Sequence, residues 1–126
     1  MDVRHLVGND TVGIEASKTL GDAARLMTSM GIGALVVEFD DNLQGIITER
    51  DVVSACAEGM ELESTPVRVW MTPDPDTMDA DMSVDEAASW MLAAGYRHMP
   101  VVDADVVVGV ISIKDVLWAL TGPTVT

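Results

Sequence analysis

Two stretches of the chain decide its fold: residues 45–53 read GIITERDVV, and residues 109–117 read GVISIKDVL. In each stretch, an apolar run of strand length ends at a hydroxyl residue, Thr48 or Ser112. An aspartate, Asp51 or Asp115, follows three positions later. A hydroxyl residue followed at this spacing by an acidic one is typical of the first turn of a helix. Each stretch therefore predicts a strand that leads directly into a helix.

These two stretches belong to a repeat that covers the chain. The shift in numbering that carries Gly45 onto Gly109 superposes them without a gap. The same shift pairs glycine, alanine, methionine and arginine positions elsewhere: Ala23-Ala24 with Ala87-Ala88, Met27 with Met91, Gly31 with Gly95, and Val3-Arg4 with Val67-Arg68. Agreement in this order indicates an internal duplication. We place repeat 1 at residues 1–60 and repeat 2 at residues 61–126.

Both repeats predict the same order of elements. A helix follows an N-cap residue, Thr19 or Ser83, and Glu86 is placed to complete a capping box with Ser83. A glycine ends each helix. Two β-rich runs joined by a polar turn come next, at residues 32–39 and 43–47 and at residues 98–103 and 106–111, and a second helix follows. Short extended segments near residues 12–14 and 77–78 precede these elements, and residues 58–66 form a polar link between the repeats. The expected fold class is α/β (α+β), with two pseudo-symmetric repeats, each a small β-sheet packed with two helices.

Composition narrows the function. The chain has 126 residues and a net charge of −14, with 21 acidic residues against 7 lysines and arginines. Nucleic acids and anionic membranes bind basic surfaces, so neither is an expected partner. Hydrophobic residues make up 48% of the chain, but no apolar run is long enough to span a membrane. The N-terminus lacks the apolar core of a signal peptide, and we expect a soluble, cytoplasmic protein.

Reactive and metal-binding side chains are sparse. His5, His98 and Cys56 are the only histidines and cysteine, too few for a His/Cys metal cluster. No phosphate-binding loop is present, and no nucleophile stands in a recognisable sequence signature. We therefore expect neither a resident metal or cofactor nor an enzyme. Cys56 lies in an apolar helical stretch, which predicts a buried and inert thiol.

The ordered motifs resemble a known family. Repeat 2 carries SVDEA at residues 83–87 and GYRHMPVVD at residues 95–103 ahead of its GVISIKDVL stretch, and repeat 1 carries the matching GIITERDVV. Together they resemble the two halves of a CBS-domain pair, or Bateman module, over nearly the whole chain. The resemblance implies a regulatory module that binds an adenosine-bearing ligand in clefts between its repeats. It also implies a flat homodimer paired through the flanking helices, and a regulated protein partner that the sequence does not identify.

The resemblance also implies two clefts, each combining the hydroxyl–aspartate end of one repeat with early strand residues of the other. The first combines Thr48 and Asp51 with Thr77, Met78, Tyr96, Arg97, His98 and Pro100. The second combines Ser112 and Asp115 with Val12, Gly13, Ile32, Gly33 and Ala34. They are not equivalent, since Arg97-His98 offers charge-assisted donors to a phosphate and Gly33-Ala34 offers none.

Each of these residues has a plainer interpretation. Asp51 and Asp115 are placed to cap their helices and oppose the helix dipole, whereas the resemblance has them accept ribose hydroxyls. Arg50, Arg97 and Lys114 occupy motif positions that similar modules turn towards the cleft, where they would neutralise an anionic ligand. The alternative is that they form surface pairs with nearby carboxylates.

The sequence thus favours a sensor of an adenine nucleotide (AMP, ADP or ATP). Two alternatives remain open. In the first, the ligand is S-adenosylmethionine or another adenosine derivative. In the second, the module binds no ligand and serves only to dimerise proteins.

Overall fold

The computed structural model describes residues 1–7, 11–40 and 42–122. After a short 3-10 helix at Val3–His5, the described residues contain seven strands and five α-helices. In chain order these are β1 Gly13–Glu15, α1 Leu20–Met30, β2 Ala34–Phe39, β3 Asn42–Thr48, α2 Glu49–Ala57, α3 Val67–Trp70, β4 Thr72–Pro73, β5 Met78–Asp79, α4 Val84–Ala94, β6 His98–Asp103, β7 Val106–Ser112 and α5 Ile113–Thr121. The mixed α/β fold class is confirmed.

The chain folds into two compact units. The first unit is Val12–Pro75, and the second unit combines Met1–Thr11 with Asp76–Thr126. The first contains a four-stranded sheet in the order β1-β2-β3-β4, and the second a three-stranded sheet in the order β5-β6-β7. In both sheets the leading strand is parallel to its neighbour, and the next pair is antiparallel.

The duplication extends to the backbone register. Ala34 pairs with Thr48 in the first unit, and His98 pairs with Ser112 at the equivalent repeat positions in the second. Even the irregularity recurs, because the β2–β3 pairing shifts after Val37 and the β6–β7 pairing shifts after Val101. A bulge bends its strand and increases the local twist. In both sheets, the following helix therefore starts at the equivalent register position, directly after Thr48 or Ser112.

Capping fixes where the helices begin and end. The Thr19 hydroxyl accepts a hydrogen bond from the Asp22 N–H, and the Asp22 carboxylate accepts one from the Thr19 N–H, a complete capping box. At α4 the Ser83 hydroxyl accepts from the Glu86 N–H, but the reciprocal half of the predicted box is not among the contacts of this helix. α1 and α4 end at Gly31 and Gly95, whose φ angles of 66° and 75° lie in the left-handed region that glycine favours.

The first residues of the chain pack onto repeat 2. Val3 is fully buried in the core of the second unit, beside Met78, Ala87 and Met91. Its N–H donates to the Met82 carbonyl at 2.9 Å. The leading segment of repeat 1 therefore completes the unit built from repeat 2.

The matching segment of repeat 2 packs in the same way onto repeat 1. Val67 is fully buried in the core of the first unit, which also holds Leu20 and Leu35, and its N–H donates to the Lys18 carbonyl at 2.7 Å. The repeats thus exchange their leading segments. The predicted division at residue 60 remains a statement about the sequence repeats, whereas the compact units group the chain differently.

The prediction of a buried Cys56 was wrong. Cys56 is exposed rather than buried. Of the residues in α2, only Ala55 is buried, so the helix contributes little to the core.

We expect Val3→Ala to lower the free energy of unfolding by about 2 kcal/mol, because two buried methyl groups are lost and a cavity remains. The matched control is Val106→Ala in the same unit, since Val106 is 63% exposed and its truncation should change stability by less than about 0.5 kcal/mol. Urea unfolding followed by circular dichroism measures both. Equal stability of Val3→Ala and the parent would contradict the packing of the N-terminal segment.

Candidate functional site

The hydroxyl–aspartate pair of the first unit forms a complete helix cap. The Thr48 N–H and the Thr48 hydroxyl both donate to Oδ2 of Asp51, at 2.8 Å and 3.0 Å. The Asp51 N–H donates in return to Oγ1 of Thr48 at 3.3 Å. The capping interpretation of this motif is therefore correct, and the remaining question is whether the carboxylate can also hold a ligand.

The second unit repeats the arrangement at the start of α5. The Ser112 N–H donates to Oδ2 of Asp115, and the Asp115 N–H donates to Oγ of Ser112, both at 3.1 Å. Both aspartates are half-buried. Each unit thus fixes a carboxylate at the N-terminus of the helix that follows its antiparallel strand pair, where the helix dipole favours negative charge.

The two carboxylates each have an oxygen to spare. In the described part of the chain, Asp51 and Asp115 accept hydrogen bonds through Oδ2 alone. Asp22 caps α1 in the same manner but differs, because its Oδ1 accepts from Nη2 of Arg25 at 2.9 Å. The carboxylates of Asp51 and Asp115 can therefore accept a ligand hydroxyl without giving up the cap, whereas both oxygens of Asp22 are engaged.

Early strand residues lie beside the caps of their own unit. In the first unit, Ala34 is paired with Thr48, and the Glu49 N–H donates to the Gly33 carbonyl at 3.0 Å. The Val36 N–H donates to the Val12 carbonyl at 3.2 Å, which places β1 next to this corner. The structure therefore brings the first-unit members of the candidate set together: Val12, Gly13, Gly33, Ala34, Thr48, Arg50 and Asp51 all belong to β1, the start of β2 and the start of α2 or lie directly beside them.

The second unit gathers the other candidates in the equivalent place. His98 is paired with Ser112, and the Ile113 N–H donates to the Arg97 carbonyl at 2.8 Å. This unit holds Thr77, Met78, Tyr96, Arg97, His98, Pro100, Ser112, Lys114 and Asp115. Combining the cap of one unit with the strand residues of the other remains a prediction.

Some candidates are enclosed. Met78 is fully buried in the second core, Ala34 is 6% exposed, and Pro100 is buried as well. The Met78 side chain fills the core of its own unit, so Met78 could contact a ligand chiefly through backbone atoms. Ala34 and Pro100 belong to neither core cluster, although both are buried.

Within the part of the chain that the structure describes, the cations at the motif positions form no surface pairs with carboxylates. Among the described residues, the salt bridges involve Arg4 and Arg25, and none involves Arg50, Arg97 or Lys114. All three side chains are exposed. In a chain of net charge −14, three cations without a carboxylate partner are available to an anionic ligand.

Asp76 is a neighbour of the site that the motifs did not identify. The Tyr96 hydroxyl donates a hydrogen bond to its carboxylate. This bond, followed by partial burial and the nearby negative charge, raises the pKa of Tyr96. The only available signal was proximity in sequence to Thr77, which does not distinguish Asp76 from the other aspartates of this region.

Metal binding and membrane insertion find no support in the described residues. No group of three or more histidine, cysteine, aspartate or glutamate side chains in this part of the chain is arranged to hold a metal ion. No helix among the described residues has the length and apolar character needed to cross a membrane.

Comparisons with known proteins agree with the fold. The family model described as CBS domain matches the chain twice, over residues 3–58 and 67–122. A 17.7 kDa protein of Acidianus ambivalens is 36% identical over 85% of this chain, which spans 65% of that protein. A protein of Methanopyrus kandleri is 31% identical over 93% of this chain, which spans 61% of it. The chain therefore spans less than two thirds of these curated relatives.

Solved structures show the same architecture. A protein with CBS domains from Burkholderia ambifaria has a TM-score of 0.93 at 28% identity, with 100% of this chain and 98% of that chain covered. The CBS domain pair of protein MJ0100, solved in complex with 5'-methylthioadenosine and S-adenosyl-L-methionine, has a TM-score of 0.88 at 24% identity, with 97% of each chain covered. At that identity the second likeness shows the fold alone.

Tyr96 is the only tyrosine of the chain, so its ionisation can be followed without interference from another phenol. We expect Asp76→Asn to lower the pKa of Tyr96 towards the ordinary value of about 10, because the charged acceptor is removed. A raised pKa favours the neutral phenol. The contact with Asp76 therefore stabilises the fold at pH values below the ordinary tyrosine pKa, and this stabilisation is lost as the pH rises through the pKa of Tyr96 in the folded protein. The ultraviolet absorbance of tyrosinate, recorded across an alkaline titration, measures the shift.

The control for this titration is Asp105→Asn, an exposed aspartate of the same unit. It should leave the Tyr96 pKa unchanged. If Asp76→Asn and Asp105→Asn titrate alike, the Tyr96–Asp76 hydrogen bond is not present in solution.

Proposed function

The chain belongs to the CBS-domain family, and from that membership we propose that it is a regulatory module that binds an adenosine-containing nucleotide, AMP, ADP or ATP, between its repeats. The carboxylate of Asp51 accepts the ribose hydroxyls. Arg97 and His98, with Arg50 and Lys114, hold the phosphate. Nucleotide binding changes the arrangement of the repeats or of two subunits, and a partner protein responds to that change.

The observation that carries this proposal is the uneven use of the aspartate oxygens. Asp51 and Asp115 cap their helices through Oδ2, and the second oxygen accepts no hydrogen bond from a described residue. A purely structural cap has no need of that oxygen, but a ribose with two vicinal hydroxyls can donate to it. The hydrogen bond would be charge-assisted and therefore stronger than a neutral one.

Charge supports the phosphate half of the proposal. Arg50, Arg97 and Lys114 are exposed and, in the described residues, lie in no salt bridge, although the chain has 21 acidic residues and only seven lysines and arginines. A guanidinium is suited to bidentate binding of phosphate oxygens. Keeping these cations unpaired in so acidic a chain is consistent with a local anion site.

The repeats differ in what they offer a ligand. Arg97-His98 and Gly33-Ala34 occupy equivalent register positions, opposite Ser112 and Thr48 respectively. We propose that the nucleotide occupies the cleft combining Thr48 and Asp51 with Arg97 and His98. The other cleft, with Ser112 and Asp115, takes an uncharged adenosine group or stays empty.

S-adenosylmethionine is the second candidate. The fold of protein MJ0100 accommodates this ligand and 5'-methylthioadenosine, and neither carries a phosphate. Asp51 would serve the ribose equally well in such a ligand. The phosphate-binding cations of this chain favour a nucleotide, and direct competition between the two ligands decides the matter.

Pairing with a second copy of the chain is also part of the proposal. α5 presents Leu117, Trp118 and Leu120 to solvent, and Trp118 is 63% exposed. Apolar helix faces of this kind support the homodimer that the family resemblance implies. The scaffold alternative is a dimer that binds no ligand. In that case the second carboxylate oxygens of Asp51 and Asp115 have no binding role.

Calorimetric titration of AMP, ADP, ATP and S-adenosylmethionine separates these alternatives. We expect saturable binding of one adenosine ligand to the parent, and a loss of about tenfold or more in affinity for Asp51→Ala, because a charge-assisted hydrogen bond contributes about 1.5–3 kcal/mol. Asp115→Ala reports on the second cleft. Asp22→Ala is the matched control, since it removes a similar capping box from α1, a helix that carries none of the proposed site residues.

Two outcomes would count against the proposal. Equal loss of binding in Asp22→Ala and Asp51→Ala would assign the effect to helix stability rather than to ribose binding. If no adenosine ligand binds the folded parent at millimolar concentration, the scaffold alternative replaces the sensor.

A further inference from the structure

Arg4 and Arg68 occupy the same position in the two repeats. Their backbones are held alike, because the Arg4 N–H donates to the Ala80 carbonyl at 3.2 Å and the Arg68 N–H donates to the Ala16 carbonyl at 3.1 Å. The duplication therefore supplies an internal comparison. Any difference between the two guanidinium environments arises from the side chains around them.

Arg4 is paired with two carboxylates. Its Nη1 donates to Asp103 at 3.0 Å, and its Nη2 donates to Asp81 at 2.5 Å. These hydrogen bonds raise the pKa of the guanidinium. The second unit thus shows which chemical groups the fork of an arginine at this position accepts.

Arg68 has neither carboxylate. The residues equivalent to Asp81 and Asp103 are Ser17 and Phe39. Among the residues that the structure describes, the Arg68 side chain makes no hydrogen bond or salt bridge, including with the nearby Glu15 and Glu38 at the ends of β1 and β2. Among the described residues, the Arg68 guanidinium therefore lacks the two carboxylate partners that the Arg4 guanidinium has.

Other exposed residues of the first unit extend the candidate binding surface beyond Arg68. Lys18 is exposed, and its carbonyl accepts from the N–H of Val67, the residue before Arg68. Phe39 is 63% exposed and Val69 is 60% exposed. We call Ser17, Lys18, Phe39, Arg68 and Val69 the Arg68 surface. It combines two unpaired cations with two exposed apolar side chains.

We propose that the Arg68 surface binds an acidic segment of a partner protein. Two carboxylates of the segment occupy the Arg68 fork as Asp81 and Asp103 occupy that of Arg4, and Lys18 neutralises a further charge. Apolar side chains of the same segment contact Phe39 and Val69. Physiological salt weakens the repulsion from carboxylates of the chain that lie more than about 8 Å away. Glu15 and Glu38 lie closer to Arg68, and the charge-assisted hydrogen bonds at the guanidinium must outweigh their repulsion.

A labelled peptide probe tests the proposal with the intact chain. The probe is a short fluorescein-labelled peptide in which pairs of aspartate and glutamate alternate with leucine, and the comparison peptide carries asparagine and glutamine in their place. Fluorescence anisotropy should show saturable binding of the acidic peptide and binding at least about tenfold weaker for the amide peptide, since the carboxylates make the charge-assisted bonds.

The most informative variant introduces, at Ser17 and Phe39 of the first unit, the aspartates that the second unit has at the equivalent positions. Ser17→Asp combined with Phe39→Asp keeps both cations, supplies carboxylates to the Arg68 guanidinium from within the chain and also removes the apolar contact of Phe39, so the acidic peptide should lose about tenfold or more in affinity. Arg68→Ala should lose as much. Arg25→Ala is the matched control, because Arg25 is an exposed cation of the same unit already paired with Asp22 and Glu63, and it should bind the peptide like the parent.

Several outcomes would overturn the proposal. They are no saturable binding to the parent, equal binding of the amide peptide, and unchanged binding by Arg68→Ala or by the double variant at unchanged melting temperature. Displacement of the peptide by an equal concentration of inorganic phosphate or of an oligonucleotide would show a general anion site, and this too would overturn it.

Discussion

The carboxylates of Asp51 and Asp115 are each subject to two demands at once. One oxygen holds the first turn of a helix through the backbone and hydroxyl of Thr48 or the backbone of Ser112. The other oxygen stays open, because no described residue donates to it. Capping fixes the side chain at the helix N-terminus with little freedom to rotate, so a hydroxyl donor meets an acceptor that is already oriented. The same interaction thus orders the start of the helix and, in the proposed site, orients the oxygen that a ribose would meet.

Duplication gives this chain two nearly identical backbones on which side chains have diverged. Registers, bulges and exchanged leading segments recur at equivalent positions of the two repeats. The sheets differ by the additional strand β4 of the first unit, and further differences lie in particular side chains. Arg97-His98 stands where the other repeat has Gly33-Ala34. Arg4, which is paired with two carboxylates, stands where the other repeat has Arg68, whose side chain has no ion-pair partner among the described residues. A shared backbone with unlike side chains makes the two halves unequal in the groups that they offer to a ligand.

Much of this was predictable from the sequence. Helix α1, helix α4 and the paired strands follow from apolar periodicity, cap residues and glycines, which act locally. The exchange of leading segments did not, because Val3–His5 and Val67–Trp70 are too short to show a helical period. The exposure of Cys56 was missed because residues 52–57 are apolar around most of the helix, so their pattern does not show which side faces the core. The Tyr96–Asp76 contact joins residues 20 positions apart and has no sequence signature.

A crystal structure of the protein with bound adenine nucleotide would test most directly whether one carboxylate oxygen of Asp51 caps the helix while the other binds the ribose. Our account predicts that Oδ2 keeps its hydrogen bonds from Thr48, while the ribose hydroxyls donate to the other oxygen and the phosphate lies near Arg97. A ribose bound away from Asp51, or an Asp51 side chain turned away from Thr48 to reach the ligand, would contradict it.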